Sequence, residues 1–170
     1  MAGQMNMDHE QYSDEYVGDI LKDVKTIAVV GASDNPVRPS YFVMRYMQRK
    51  GYRIIPVNPG KAGTELLGEQ VFARLSDINV PIDMVDCFRN SEAIPGITEE
   101  AISIGAKVLW MQLGVIHEAA ARAAEKAGMR VIMNRCPKIE FGRLSGEIAY
   151  MGGRSGIISS KRKKLLGKRI

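Results

Sequence analysis

Apolar residues in this chain recur in two alternating rhythms. Five short runs, at 26–30, 52–57, 82–88, 107–111 and 129–133, are dense in aliphatic residues and predict strands covered on both faces. Between them the apolar positions recur at helical spacing. Phe42, Val43, Tyr46 and Met47 predict the buried stripe of a helix over 40–50. Ile94, Ile97, Ala101 and Ile104 predict a second helix, with Pro95 in its first turn, and the alanine-rich run His117 to Ala127 a third. A further stripe, Tyr16, Val17, Ile20, Leu21 and Val24, places a short helix before the first strand, with Ser13 or Asp14 as its cap. Gly51 and Gly128 stand where two of these helices end. Residues 62–80 are less regular and predict a turn with a short edge segment, then a single helical turn over 74–78. Strand–helix alternation with short connections predicts a Rossmann-like α/β fold. Its sheet is doubly wound, mainly parallel and five- or six-stranded, with helices on both faces. The domain is placed at 13–145, after a flexible N-terminus at 1–12 and before an extension at 146–170. From Asn134 the chain is expected to pack across a sheet edge.

Composition changes this picture in one place. The net charge of +5 is not spread over the chain: 7 of its 24 Lys and Arg residues lie from Arg154 onward, and no acid follows Glu147. The remainder is near neutral, so any affinity for nucleic acid, lipid or an acidic partner rests on the segment Lys161 to Arg169. That segment has no aromatic residue for base stacking, and a solvated tail is the favoured reading. No apolar run reaches the ~20 residues of a membrane span. Cys87 and Cys136 are the two cysteines, too few for a disulfide framework or a zinc cluster, and the expected compartment is the cytoplasm.

In a doubly wound sheet the ligand lies beyond the carboxyl ends of the strands, at the point where strand order reverses. The first strand runs into Gly31-Ala32-Ser33, then a loop containing Arg38 and Pro39, then Ser40 as the expected helix N-cap. Strand, glycine turn and helix N-terminus form a phosphate cradle, although a glycine needed for packing alone would look the same. The ends of the next strands add Asn58 to Lys61, Phe88 to Ser91, and Gln112 to Gly114. The dinucleotide fingerprint G-x-G-x-x-G fails, because Ala32, Ser33 and Asp34 follow the first glycine. The acid that would bind an adenosine ribose is replaced by Asn58 and Lys61, which suits an additional phosphate better than a free diol. NAD is disfavoured; an NADP-dependent oxidoreductase stays as the alternative, weakened by the lack of an evident proton donor. Cys136 has Arg135 and Lys138 as neighbours that could favour its thiolate, against the simpler reading of a buried structural cysteine. His9 is assigned to the flexible N-terminus and His117 to a helix start.

Five blocks in order carry a resemblance: Val29-Val30-Gly31-Ala32-Ser33 with Arg38-Pro39-Ser40, Ile55-Pro56-Val57-Asn58-Pro59, Asp83 to Arg89, Trp110 to Gly114, and Asn134 to Glu140. Together they resemble the small single-domain coenzyme A-binding proteins and, more distantly, the N-terminal CoA-binding domain of the succinyl-CoA synthetase α subunit. The resemblance implies that Gly31, Ala32, Ser33 and Ser40 line the pyrophosphate, with Arg38 and Pro39 in the same loop. It implies that Val57, Asn58, Pro59 and Lys61 form the segment holding the 3′-phosphate end. Phe88, Arg89 and Gln112, with Gly114 in the following loop, would form the wall along which adenine or pantetheine runs. The phosphohistidine domain of the larger synthetase has no counterpart in these residues. The expected role is therefore binding of CoA or an acyl-CoA as a carrier, sensor or regulator, with no catalytic residue assigned and a homo-oligomer left open.

Overall fold

The computed structural model describes residues 7–146; the basic segment beyond Arg154 lies outside the described residues. Five strands, β1 (Thr26–Val30), β2 (Arg53–Val57), β5 (Met84–Cys87), β6 (Val108–Met111) and β7 (Arg130–Ile132), form one sheet in the order β2-β1-β5-β6-β7. Every pairing in it is parallel. The order reverses between β1 and β5, so the crevice of the fold opens over the carboxyl ends of β1, β2 and β5. Between β2 and β5 lies a small antiparallel hairpin of β3 (Glu65–Leu66) and β4 (Glu69–Gln70). Its two connecting residues, Leu67 at φ 52° and Gly68 at φ 80°, have the backbone of a type I′ turn.

Alternation along each strand sends side chains into two separate cores. Ile27, Val29, Met84, Val108, Trp110 and Ile132 face one layer, formed by helices α1 (Asp14–Asp23), α2 (Pro39–Arg49) and α5 (Pro137–Leu144). Ala28, Ile55, Val85, Leu109 and Val131 face the other, formed by α3 (Ile94–Ser103) and α4 (Glu118–Lys126). Burial on both sides explains why the strands read as continuous apolar runs. Ser13 caps α1 by accepting a hydrogen bond from the Tyr16 N–H at 3.1 Å, and Gly51 closes α2 at φ 98°.

Three local expectations are corrected. Helix α2 begins at Pro39 with Arg38 as its N-cap, and the fourth member of its buried stripe is Met44, not Phe42, which is 51% exposed. Residues after Asn134 do not run along a sheet edge. They form α5, whose Phe141 ring meets Tyr46 and Tyr52 edge-on at 6.2 and 6.0 Å, between α2 and the start of β2. Within residues 7–12, His9 and Tyr12 pack against the domain, while Met7, Asp8, Glu10 and Gln11 are exposed. His9 is 7% exposed, its Nδ1 2.7 Å from the Tyr12 hydroxyl and its Nε2 3.1 Å from Glu125.

Candidate functional site

The crevice over β1, β2 and β5 holds a cavity of about 680 Å³. Gly31 is at its centre for two reasons that do not involve a ligand. Its φ is +89°, and a Cβ there would stand 2.5 Å from the Phe88 carbonyl oxygen. Only glycine lets the turn after β1 pass this close to the turn after β5. The N–H groups of Gly31 and Ala32 are also committed, donating to the Val57 carbonyl at 3.0 and 3.2 Å. Asn58 completes the fastening: its Nδ2 donates to Ala32 O and its Oδ1 accepts from Gly60 N–H, each at 2.8 Å. The three strand ends are thus tied into one rigid floor.

Above that floor the first turn of α2 supplies the polar groups. Pro39 occupies a first-turn position where the helix would waste an N–H, and Ser40 N–H lies in the turn that has no intrahelical acceptor. Ser33, Arg38 and Ser40 line the same space. Arg89, whose Cδ is 3.2 Å from the position of a Gly31 Cβ, enters from the turn after β5. Three arginines, Arg38, Arg74 and Arg89, therefore surround the cavity against one carboxylate, Glu100. An anionic ligand fits that balance.

Of the residues singled out in the sequence, Gly31, Ala32, Ser33, Arg38, Pro39, Ser40, Val57, Asn58, Pro59, Phe88 and Arg89 line this one cavity. Lys61, Gln112 and Gly114 do not. Lys61 is half exposed and forms an ion pair with Asp34 at 2.9 Å, which holds the Asp34 carboxyl below its usual range. The pair joins the loop after β2 to the loop after β1. Gln112 is buried on the α1/α2/α5 side of the sheet, where its Nε2 donates to both Asp86 oxygens at 2.9 and 3.1 Å. Gly114 N–H donates to Asn134 Oδ1 at 2.8 Å.

The second half of the cavity went unread in the sequence. Ala73, Arg74 and Leu75 line it from the segment after the hairpin, and Ala93, Ile97 and Glu100 from α3. Positions 93, 97 and 100 share one helix face, a stripe indistinguishable in sequence from ordinary core packing. The other candidates have local roles. His117 caps α4, its Nδ1 accepting from Ala120 N–H at 3.1 Å. Cys136 is buried at the N-cap of α5, and burial pushes its thiol up despite the opposing N–H groups of Ile139 and Lys138. Basic sequence neighbours do not make it a thiolate. Burial likewise pushes the Asp86 carboxyl up to about 7, with the Gln112 amide holding it back. Among the described residues, no helix is long and apolar enough to cross a membrane.

Comparison with known proteins matches this geometry to a family. The family model described as a CoA binding domain matches residues 25–142, a span that contains every wall of the cavity. A Bacillus subtilis (strain 168) protein described as uncharacterized protein YneT is 44% identical over 123 residues, which are 72% of this chain and 90% of that protein. A Thermus thermophilus protein of known structure is 37% identical with a TM-score of 0.74, over 78% of this chain and 98% of its own. A hypothetical protein from Pyrococcus horikoshii OT3 is 35% identical with a TM-score of 0.76, over 83% of this chain and 98% of its own.

Proposed function

This chain belongs to the CoA-binding domain family, and we propose that it binds coenzyme A or a CoA thioester in the cavity over β1, β2 and β5, as a carrier, sensor or regulator. The observation that carries the reading is the enclosure of one cavity by a helix N-terminus and three arginines. CoA brings a pyrophosphate and a 3′-phosphate, so it presents more negative charge than a plain nucleotide diphosphate. The pyrophosphate belongs at Ser33, Arg38 and the N–H and hydroxyl of Ser40. Gly31 and Ala32 serve it indirectly, by shaping the turn, since their N–H groups are already bonded to Val57. For the 3′-phosphate two cations compete: Lys61, which would exchange Asp34 for the ligand, and Arg74, which reaches the cavity wall. A CoA thioester would extend its pantetheine arm along Phe88 and Arg89.

Among the described residues, the cavity lining holds no catalytic pair. Its one carboxylate has no histidine, cysteine or second acid beside it among the lining residues, so binding without chemistry is the reading we adopt. Isothermal titration with CoA, dephospho-CoA and NADP tests the assignment. The expected order is CoA first, with dephospho-CoA weaker by roughly 10- to 150-fold, as loss of one charge-assisted contact costs about 1.5–3 kcal/mol. Absence of heat with CoA rejects the proposal. NADP binding tighter than CoA replaces it with the oxidoreductase alternative.

A further inference from the structure

Charge on the α1/α2/α5 layer is sorted by helix. On α2 the exposed Arg45 and Arg49 stand four residues apart beside Phe42, and the helix contains no acid. On α1 the exposed Glu15, Asp19 and Asp23 repeat at the same spacing, with Lys22 as the one cation of that helix. Like charges four residues apart repel by about 0.2–0.5 kcal/mol per pair, so each stripe destabilises the helix that bears it. The chain itself offers little relief. Among the described residues Arg45, Arg49, Glu15 and Asp19 form no ion pair, and Asp23 has one, with Arg130 at 3.0 Å. Helix α4 on the other layer shows the usual arrangement: Glu118 and Arg122, four apart and opposite in sign, meet at 3.7 Å.

Helix α5 packs against both α1 and α2 and so lies between the two stripes. Its Ile139 is 43% exposed, and Phe42 beside the basic stripe is 51% exposed. Arg143 of α5 is already neutralised by Asp14 and Glu140. Helices α1 and α2 each end a few residues before one of two adjacent parallel strands, β1 and β2. They therefore run in the same direction, and their stripes lie at comparable heights. A surface that is basic along one side and acidic along the other is complementary to a copy of itself turned by half a revolution. We propose that a second copy of this chain docks on this layer. A two-fold axis along α5 sets each α2 against the partner subunit's α1. Arg45 and Arg49 then face the acids of the second copy twice over, and the assembly closes at two chains. With Phe42 and Ile139 as the large exposed apolar side chains of α2 and α5, charge dominates the contact and salt weakens it.

Analytical ultracentrifugation of the full chain tests the proposal. The wild type is expected to show a monomer–dimer equilibrium whose dissociation constant rises at least about tenfold between ~0.05 M and ~0.5 M salt. Arg45→Glu/Arg49→Glu and Glu15→Arg/Asp19→Arg are each expected to stay monomeric where the wild type dimerises, because each sets like charges against each other. Mixed, these two variants regain both contacts and are expected to form a one-to-one heterodimer. Glu99→Arg/Glu118→Arg makes the same change in net charge at exposed positions of the α3/α4 layer. It is expected to dimerise as the wild type does and to pair only weakly with Arg45→Glu/Arg49→Glu. A wild type that stays monomeric throughout overturns the proposal, and leaves the acids of α1 to the segment Lys161 to Arg169 or the cations of α2 to a foreign polyanion. A dimer that survives both charge reversals overturns it as well, as does a heterodimer formed equally well with the α3/α4 control.

Discussion

The cavity over β1 and β2 and the Asp86–Gln112 pair between β5 and β6 occupy the same end of one sheet, within a few strands of each other, yet their chemistry is opposite. The cavity is open, is lined by three arginines, and has a floor whose Gly31 and Ala32 N–H groups are already bonded within the protein. The pair is sealed, carries an acid, and satisfies it with a side-chain amide. In the linear chain both follow a strand at the place where ligands are expected. Strand order separates them. β1 and β5 stay paired to their ends, but the chain leaves β1 for α2 on one face and β5 for α3 on the other, which opens a crevice, whereas β5, β6 and β7 run on in sequence and the Asp86–Gln112 pair is buried on the α1/α2/α5 face. The position of a residue after a strand thus announces a ligand only beside the reversal; elsewhere the same position is core.

Four variants probe this division. Gly31→Ala has the largest expected effect, because it forces a side chain into a left-handed backbone position and against the Phe88 carbonyl. A loss of about 3 kcal/mol in urea unfolding is expected, and a loss under ~1 kcal/mol would show that the two turns are not rigidly apposed. Asp86→Asn tests the sealed pair. With its folded carboxyl at about 7, above the ordinary value, the folded state holds a proton that the unfolded state has already released. Stability should therefore fall as pH rises from ~4 to ~7 and level off beyond. Asp86→Asn removes that slope and gains roughly 1–4 kcal/mol at pH 8, read by urea unfolding across pH. Asp83 acts in the opposite sense. Burial alone would raise it, but the N–H groups of Thr26 and Lys25 and the Lys107 ammonium together hold it low, so its contribution is lost on acidification below ~4.

The open region should respond in affinity, not in stability. Arg38→Ala is expected to weaken CoA about tenfold while unfolding free energy stays within ~0.5 kcal/mol, because the exposed guanidinium caps nothing. A comparable loss of CoA affinity in Asp86→Asn would erase the distinction between the two regions. Lys61→Ala has the smallest effect, a few-fold loss for CoA and none for dephospho-CoA. An equal loss for both ligands would assign the 3′-phosphate to Arg74.

Much of the molecule was legible before folding was considered. The five strands of the parallel sheet and the helices α1 to α4 follow from apolar periodicity, because covering both faces of a parallel sheet leaves a continuous apolar pattern, whereas the polar hairpin β3–β4 showed in the sequence only as a turn and a short edge segment. Helix α5 was not legible. It is eight residues long, opens on Cys136-Pro137, and shows its buried face only when Phe141 meets Tyr46 and Tyr52. His9 escaped for a related reason: its partners, Tyr12 and Glu125, include one more than a hundred residues away.

What the sequence determined by itself is the class of fold and the place of the cradle, since both depend on local spacing and on residues adjacent in the chain. It also excluded the dinucleotide fingerprint and pointed, through Lys61, to an additional phosphate. Tertiary structure alone decided which strand ends share a cavity. It buried Gln112 and Cys136, supplied Arg74 as a rival to Lys61, and brought Ala93, Ile97 and Glu100 to the cavity wall. Those facts depend on strand order and on the face a helix turns inward. Ile97 and Glu100 have the same spacing whether they face a core or a ligand, and only the packed sheet distinguishes the two.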